Sequence, residues 1–301
     1  MTDIYRNRVF DNGQWFDFDT ALNKKLVNKV ESFNEHLINS KGLFVNTIIF
    51  HQVLMNYELK RNLLLKLKSK RVKLQYVGLS TSYLLDITNR DKISIVKNSY
   101  YIFNKILHFL LIPISLSKMF FYTSLGIVYV LGKSLYRNGD SIFNGENLVL
   151  IHSNTALSKC MRYFVDKNEK GTILFDSHKV KIKKKYDDFT VLDIYTIVKS
   201  MNLLLALPKL LRGVLLQATL IRKEFSELFG VLPIFYFIYT YSDRFFHSVY
   251  FSFVLESFVE ENIGKIKRVV SGEKESRFAI IENDISNRYQ LEGLCIPHGL
   301  E

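Results

Sequence analysis

Cysteine is nearly absent. Two occur in 301 residues, Cys160 and Cys295, far apart and each in an apolar context. That excludes a disulfide framework and a zinc ribbon, and it points to a reducing compartment. Acidic residues are the minority charge, 29 against 41 lysines and arginines, leaving a net charge of +12. Such a surplus implies an anionic partner: nucleic acid, anionic lipid, or a charged polysaccharide or sugar nucleotide. Nucleic acid ranks last, because no DNA- or RNA-binding module is recognisable. There is no Gly-x-Gly-x-x-Gly, and no His/Cys group has metal-ligand spacing, so neither a cofactor nor a metal is expected. The opening MTDIYRNRVFDNGQWF has no apolar core behind a basic start, so no secretory signal is expected. Long hydrophobic runs are missing as well. MFFYTSLGIVYVLG (119–132) and LFGVLPIFYFIYTYS (228–242) are uncharged but short of the roughly 18–20 residues that span a bilayer. Lys105 and Lys118 interrupt the first region, while Glu227 and Asp243 close the second. Two apolar helical segments, about 101–132 and 228–255, are therefore expected to associate with a membrane peripherally.

Aromatic residues are abundant, with 24 Phe and 17 Tyr beside a single Trp. Along the chain, short apolar runs alternate with helical patterns. LFVNTIIF (43–50) reads as a buried strand or a helix start, NYELKRNLLLKLKSK (56–70) as a helix with a basic outer face, and VKLQYVGLS (72–80) as a strand. NLVLIHSN (147–154), GTILFDSH (171–178) and FTVLDIY (189–195) are strands, with the helix TALSKCMRYFVDK after the first. A long helical region from about Ile194 to Asn262 is interrupted at Pro208, Gly213, Gly230 and Pro233. IKRVVSG (266–272), EKESRFAIIENDISNRYQ (273–290) and LCIP then give strand, helix and strand. This alternation predicts an α/β fold built on a Rossmann-like parallel sheet with apolar helical insertions. Residues 1–262 form its body and 263–301 a terminal βαβ unit of the same domain.

Two motifs fail on inspection. GIVYVLGKS (126–134) resembles a phosphate loop, but Gly126 and Gly132 stand one residue too far apart, inside an apolar segment. DFD (17–19) has the spacing of a metal-binding Asp-x-Asp, yet Asp19 or Thr20 is better placed to cap the helix ALNKKLVNKV. Basic runs are conspicuous at KRNLLLKLKSKRVK (60–73) and KVKIKKK (179–185). The second would place Lys179, Lys181, Lys183 and Lys185 on one face of a strand. Such runs are either solvated surface or an attraction to anionic lipid or polyanionic sugar.

The last βαβ unit carries the candidate site. SGEKESR places Ser271 and Gly272 in the turn after a strand, with Glu273 and Arg277 at the start of the helix; such a corner holds a phosphate or carboxylate. His298 and Gly299 follow the final strand on the same edge, where open α/β sheets bind ligands. His298 could act as a base towards a sugar hydroxyl or bind a phosphate, and Gly299 would let the ligand approach the backbone. Both corners could equally be plain turns.

A strand followed by His-Gly, reached through a Ser-Gly turn, resembles the amino-terminal half of bacterial surface-polysaccharide glycosyltransferases of the two-domain GT-B type; SGEKESRFAIIENDISNRYQLEGLCIPHGLE carries the likeness. The resemblance implies a site for part of a sugar nucleotide or its acceptor. In that family a second domain binds most of the donor, and with the sequence stopping at Glu301 that part is expected to be missing. A half-enzyme that needs a partner, or a chain that no longer catalyses, is the expectation. LFGVLPIFYFIYTY (228–241) is similar to the polyisoprenol-recognition pattern of polysialic acid capsule biosynthesis proteins, through Leu232, Pro233, Phe235, Tyr236, Phe237 and Tyr239. An aromatic helix in a core would look the same. Together these resemblances imply work at the cytoplasmic face of a bacterial inner membrane. There the chain would assist a polysialyltransferase and other capsule-assembly proteins on an undecaprenyl-linked acceptor at an anionic membrane surface. The rivals are a complete glycosyltransferase using CMP-sialic acid or another nucleotide sugar, and a structural subunit of a capsule-assembly complex.

Overall fold

The computed structural model describes residues 99–135, 143–167, 169–182, 188–198, 200–229, 231–272 and 277–296, with the short strand segments 2–3, 8–11, 14–17, 73–74 and 94–95. The chain divides into two compact units. One comprises Met1–Leu43, Thr47–Met119 and Ala218–Ser242, the other Phe44–Asn46, Phe120–Gln217 and Asp243–Glu301. In the first, β1 (Thr2–Asp3), β2 (Arg8–Asp11) and β3 (Gln14–Asp17) form an antiparallel meander. Its register sets Asp17, the first residue of the DFD motif, opposite Arg8. β4 (Lys73–Leu74) pairs parallel with β5 (Ser94–Ile95). The expected elements at 43–50 and 56–70, and the cap at Asp19 or Thr20, lie outside the described residues.

The second unit holds a five-stranded parallel sheet made of β6 (Asn147–Ile151), β7 (Gly171–Phe175), β8 (Phe189–Asp193), β9 (Arg268–Ser271) and β10 (Glu292–Cys295). Its order is β10-β9-β6-β7-β8. From β6 the chain walks outward through β7 to β8, then returns across β6 to place β9 on its other flank. This is the order of a Rossmann-like sheet, and the α/β class expected from the sequence is the class observed. β6 is buried along its whole length, as the continuous apolar run NLVLI requires of a central parallel strand. Val149 and Ile151 join Ile173 and Val270 in a core with Ala156, Leu157, Cys160 and Phe164. By alternation Leu148 and Leu150 point to the opposite face, where both are fully buried.

Five helices are described: α1 (Ser99–Ser134), α2 (Asn154–Lys167), α3 (Ser200–Phe229), α4 (Val231–Asn262) and α5 (Arg277–Arg288). α2 starts where Ser153 caps it, its Oγ accepting from the Ala156 N–H at 3.2 Å. The region 194–262 is more continuous than its sequence suggests, because Pro208 and Gly213 both sit inside α3. Gly213 is a contact point and not a break: a Cβ there would lie 2.6 Å from Val249 Cγ1 of α4. Pro233 lies in the first turn of α4, where a missing N–H costs no helical hydrogen bond. The KVKIKKK run is also not a strand where it is described. β7 ends at Phe175, and the Lys179 and Val180 N–H groups turn back to the Asp176 carbonyl at 3.0 and 2.8 Å.

Gly126, in the failed phosphate-loop motif, lies mid-helix in α1. A Cβ there would sit 2.2 Å from Phe246 Cδ1, so the glycine exists to let α4 approach. Gly126→Val is expected to destabilise the protein by about 1–3 kcal/mol through overpacking, read as a lower urea midpoint by circular dichroism. Gly132→Ala, whose Cβ meets nothing within 4 Å, is the control and should be no less stable than the parent.

Among the described residues, two helical stretches are long and apolar enough to cross a membrane by length and composition: Phe109–Ser134 in α1 and Met201–Arg222 in α3. The first overlaps the segment expected at about 101–132. Lys118, which interrupts that run on paper, folds back on the protein: its Nζ donates to the Tyr239 carbonyl at 2.8 Å and stands 4.0 Å from that ring's centroid. The second stretch was not expected. In α4, by contrast, Phe245, Phe246, Tyr250, Phe251, Val254 and Leu255 are buried, so that part of the 228–255 segment is core.

Candidate functional site

All five parallel strands end on one edge, and the chain reverses its direction of travel between β6 and β9. Open α/β sheets bind ligands in the crevice at such a reversal. His152 follows β6 there and Gly272 follows β9. Asp176, Ser177 and Lys179 follow β7, and Tyr195 lies two residues beyond β8.

The loops are tied down by their own backbones. Asp176 N–H donates to the Ile151 carbonyl at 3.3 Å and Ile194 N–H to the Phe175 carbonyl at 3.1 Å, so each strand exit is braced by its neighbour. Asp176 Oδ1 accepts from the His178 N–H at 3.0 Å, and Asp193 Oδ1 from the Tyr195 N–H at 3.2 Å; both aspartates shape the turn they begin. The Tyr250 hydroxyl of α4 donates to the Ile194 carbonyl at 3.0 Å and fastens that helix to the edge.

Two polar clusters result. In the first, His247 of α4 places Nε2 3.2 Å from Asp176 Oδ2 and Nδ1 3.0 Å from the Tyr195 hydroxyl. The Asp176 side chain is fully buried, whereas that of His247 keeps 22% exposure. Burial lowers the imidazole's affinity for a proton more than Asp176 raises it, so His247 is neutral at pH 7. With Asp176 ionised, Nε2 carries the proton and faces the carboxylate, and Nδ1 accepts from Tyr195. Burial, reinforced by the Asp176 charge, pushes the Tyr195 hydroxyl far above its ordinary range, so it remains a donor.

In the second cluster His152 Nε2 meets Glu282 Oε1 of α5 at 2.9 Å, with both side chains almost completely buried. The imidazole stacks on Phe278 at 3.9 Å between centroids, and Phe251 meets it edge-on at 4.8 Å. His152 Nδ1 and Glu282 Oε2 have no hydrogen-bond partner. Around Phe278 stand two cations, Lys179 Nζ and the Arg277 guanidinium, each 4.8 Å from the ring centroid. Burial, aided by the charge of Arg244, pulls the Arg277 guanidinium down to about 10. Its Nη1 is buried and has no hydrogen-bond partner.

Of the residues singled out from sequence, Ser271, Gly272 and Arg277 lie at this edge. Ser271 ends β9, and its carbonyl accepts from the Ile296 N–H at 2.9 Å, which places the ends of β9 and β10 side by side. Gly272 has a packing role: a Cβ there would sit 2.5 Å from the Ala156 Cβ of α2. Glu273, His298 and Gly299 lie outside the described residues. On the other motif, the side chains of Leu232, Pro233, Tyr236 and Phe237 lie outside them too. The Phe235 carbonyl accepts from Ser115 Oγ at 2.8 Å, and Tyr239 is the exposed ring beneath Lys118. Neither cysteine is in a disulfide. Cys160 is buried, its thiol pushed up to about 12 by that burial, while Cys295 is exposed and not held in the apolar setting its neighbours suggested.

Sequence reasoning passed over His152, Asp176, Tyr195 and His247, and read Lys179 only as part of a basic run. Three of them carried a signal: IHS, DSH and DIY each close a strand run, on the edge where open α/β sheets bind ligands. His247 lies deep in an aromatic helix and carried none. No known protein family matches the chain, and neither a curated protein nor a solved structure is similar enough to it to count as a relative.

Proposed function

We propose that the protein works at the cytoplasmic face of a bacterial inner membrane in the assembly of an anionic surface polysaccharide, bringing a lipid-linked acceptor to the carboxyl edge of its sheet. The observation that carries this reading is the exposed apolar surface of α1 and α3. Phe109 is 80% exposed and Leu205 76%, and Phe120, Phe121, Val128, Met201 and Leu215 are exposed with them. Only 22% of each candidate span is buried within the protein. Water does not tolerate apolar faces of that extent, and a bilayer does. At about 1.5 Å per residue, Phe109–Ser134 is long enough for the roughly 30 Å hydrocarbon core. The net charge of +12 favours an anionic leaflet.

The resemblances noted in the sequence supply the narrower setting. The sheet is read as the amino-terminal type of GT-B domain, the acceptor as undecaprenyl-linked, the product as a capsular polysaccharide such as polysialic acid, and the partners as a polysialyltransferase and its assembly complex. A second reading, a glycosyltransferase in its own right, is favoured by the neutral His247 beside Asp176 on the ligand-binding edge. Transfer from CMP-sialic acid by the purified chain alone would promote it.

The full chain should sediment with vesicles containing anionic lipid, and carbonate should leave it in the pellet if α1 and α3 insert. Serine at Phe109, Phe120, Phe121 and Leu205 together should move it to the supernatant. A parent chain that stays soluble beside the vesicles sinks the membrane reading.

A further inference from the structure

We infer that α3 lies in the plane of an anionic membrane surface, with Arg212 and Lys209 among the lipid phosphates, and does not cross the bilayer. The inference rests on the reading of the exposed apolar surface as a membrane face and names how that face is seated. Over Met201–Gln217, α3 shows two sides at helical spacing. Leu203, Leu210, Val214 and Gln217 are buried, and Gly213 meets Val249 of α4 among them, so this side rests on the protein. On the opposite side Met201, Leu204, Leu205, Leu211, Leu215 and Leu216 are exposed. Length and mean composition would let Met201–Arg222 cross a membrane, but the position of its charges argues against it. At about 1.5 Å per residue, a crossing would bring Arg212 within about 2 Å of the bilayer midplane and Lys209 within about 5 Å. No depth in a bilayer costs a charged side chain more. The fold does not take these charges inward. Arg212 is exposed among the leucines, on the same side of the helix as Leu205. The Lys209 side chain is 73% exposed; its Nζ stands 3.9 Å from Glu256 Oε2 of α4, a carboxylate it shares with Arg288. A face that is apolar along its length and cationic at its middle fits one layer of a membrane, the boundary between headgroups and acyl chains. There the leucines reach the chains while the guanidinium gives a phosphate two parallel donors. Lys209, over the Phe253 ring at 5.7 Å, meets the headgroups from the flank nearer α4.

Two measurements on the full chain test this. In the first, single cysteines at Met201, Leu205, Leu211 and Leu215 carry a fluorophore, in a Cys295→Ser background that leaves Cys160 buried. The vesicles are phosphatidylcholine with phosphatidylglycerol, and nitroxides fixed at shallow or deep positions of the lipid chains read the depth of each label. All four should lie at one shallow depth. In the second, binding to the same vesicles is titrated at low salt. Arg212→Gln should weaken it about fivefold and Lys209→Gln by less, because Glu256 already meets that ammonium. Lys170→Gln removes the same charge from the amino end of β7 and should bind as the parent does, which separates a local contact from net charge. Vesicles of phosphatidylcholine alone should not distinguish Arg212→Gln from the parent, and circular dichroism would confirm that every variant is folded. Labels graded in depth with Leu211 deepest, or equal affinity of the parent and Arg212→Gln for the anionic vesicles, overturn the in-plane seat while the membrane reading stands. A parent that ignores both kinds of vesicle and sediments as an oligomer overturns both, and gives the face to protein.

Discussion

Glu282→Ala is expected to lower the unfolding free energy by about 3 kcal/mol, a loss that a second substitution nearly restores. The single change leaves His152 buried with its Nε2 unpaired; the cost falls between that of an orphaned donor and that of a broken buried ion pair. Replacing both partners with apolar groups of similar volume removes the penalty together with the bond. His152→Phe with Glu282→Leu should therefore come within about 1 kcal/mol of the parent. The phenylalanine keeps the stack on Phe278. Urea unfolding of the detergent-solubilised chain, followed by circular dichroism, measures the cycle. A double variant as unstable as the single one would show that the pair does more than satisfy itself, because His152 Nδ1 and Glu282 Oε2 would then be serving an unseen partner.

The second large effect is on acid stability, in two steps. Burial alone would raise the Asp176 carboxyl. The hydrogen bond and charge of His247, the charge of Lys179 and the His178 N–H outweigh burial and hold it at about 2. An unfolded aspartate titrates near about 3.9. The folded value is the lower one, so this carboxylate's stabilisation is complete above about pH 4 and disappears as pH falls towards 2; such a gap corresponds to about 2.6 kcal/mol. His247 adds a step at higher pH. Burial lowers its pKa in the fold, so below about pH 6.5 the unfolded chain takes up this proton first and stability falls. Once charged, His247 is the cation that keeps Asp176 ionised further down. Asp176→Asn should lose about 3 kcal/mol at pH 7 and converge on the parent near pH 2, and His247→Gln should flatten the step below pH 6.5. Urea midpoints measured from pH 7 to pH 2 read both. A parent whose midpoint does not change over that range would contradict the pair.

The strands of the sheet were legible because buried parallel strands are written as unbroken apolar runs: NLVLI, GTILF and RVVS appear where they were expected. The carboxyl edge followed from the strands, and Ser271, Gly272 and Arg277 lie on it. The helical insertions were harder. Glycine in a helix reads as a break, yet Gly126 and Gly213 mark where neighbouring side chains crowd the backbone, which depends on partners more than 30 residues away. Lys118 looked like an interruption because the carbonyl that accepts its hydrogen bond belongs to Tyr239, 121 residues on. His247 was invisible for a similar reason, since Asp176 and Tyr195 reach it from two different loops.

The return of the chain across β6 has a consequence for synthesis. β7 and β8 can join β6 as soon as they leave the ribosome, but the other flank of β6 waits for β9. The wait is long, since Lys267 and Glu146, which meet at the start of that pairing, are 121 residues apart. At ordinary translation rates the delay is on the order of ten seconds. During it the most apolar strand of the sheet presents a bare row of amides and carbonyls, the template on which unwanted strands add. The stretch made in the interval is α3 and α4, the first of them apolar enough for a membrane. A nascent chain drawn to the bilayer by α3 would be kept apart from its neighbours on the polysome while that flank is open. Membrane attachment would then protect the sheet before it is complete.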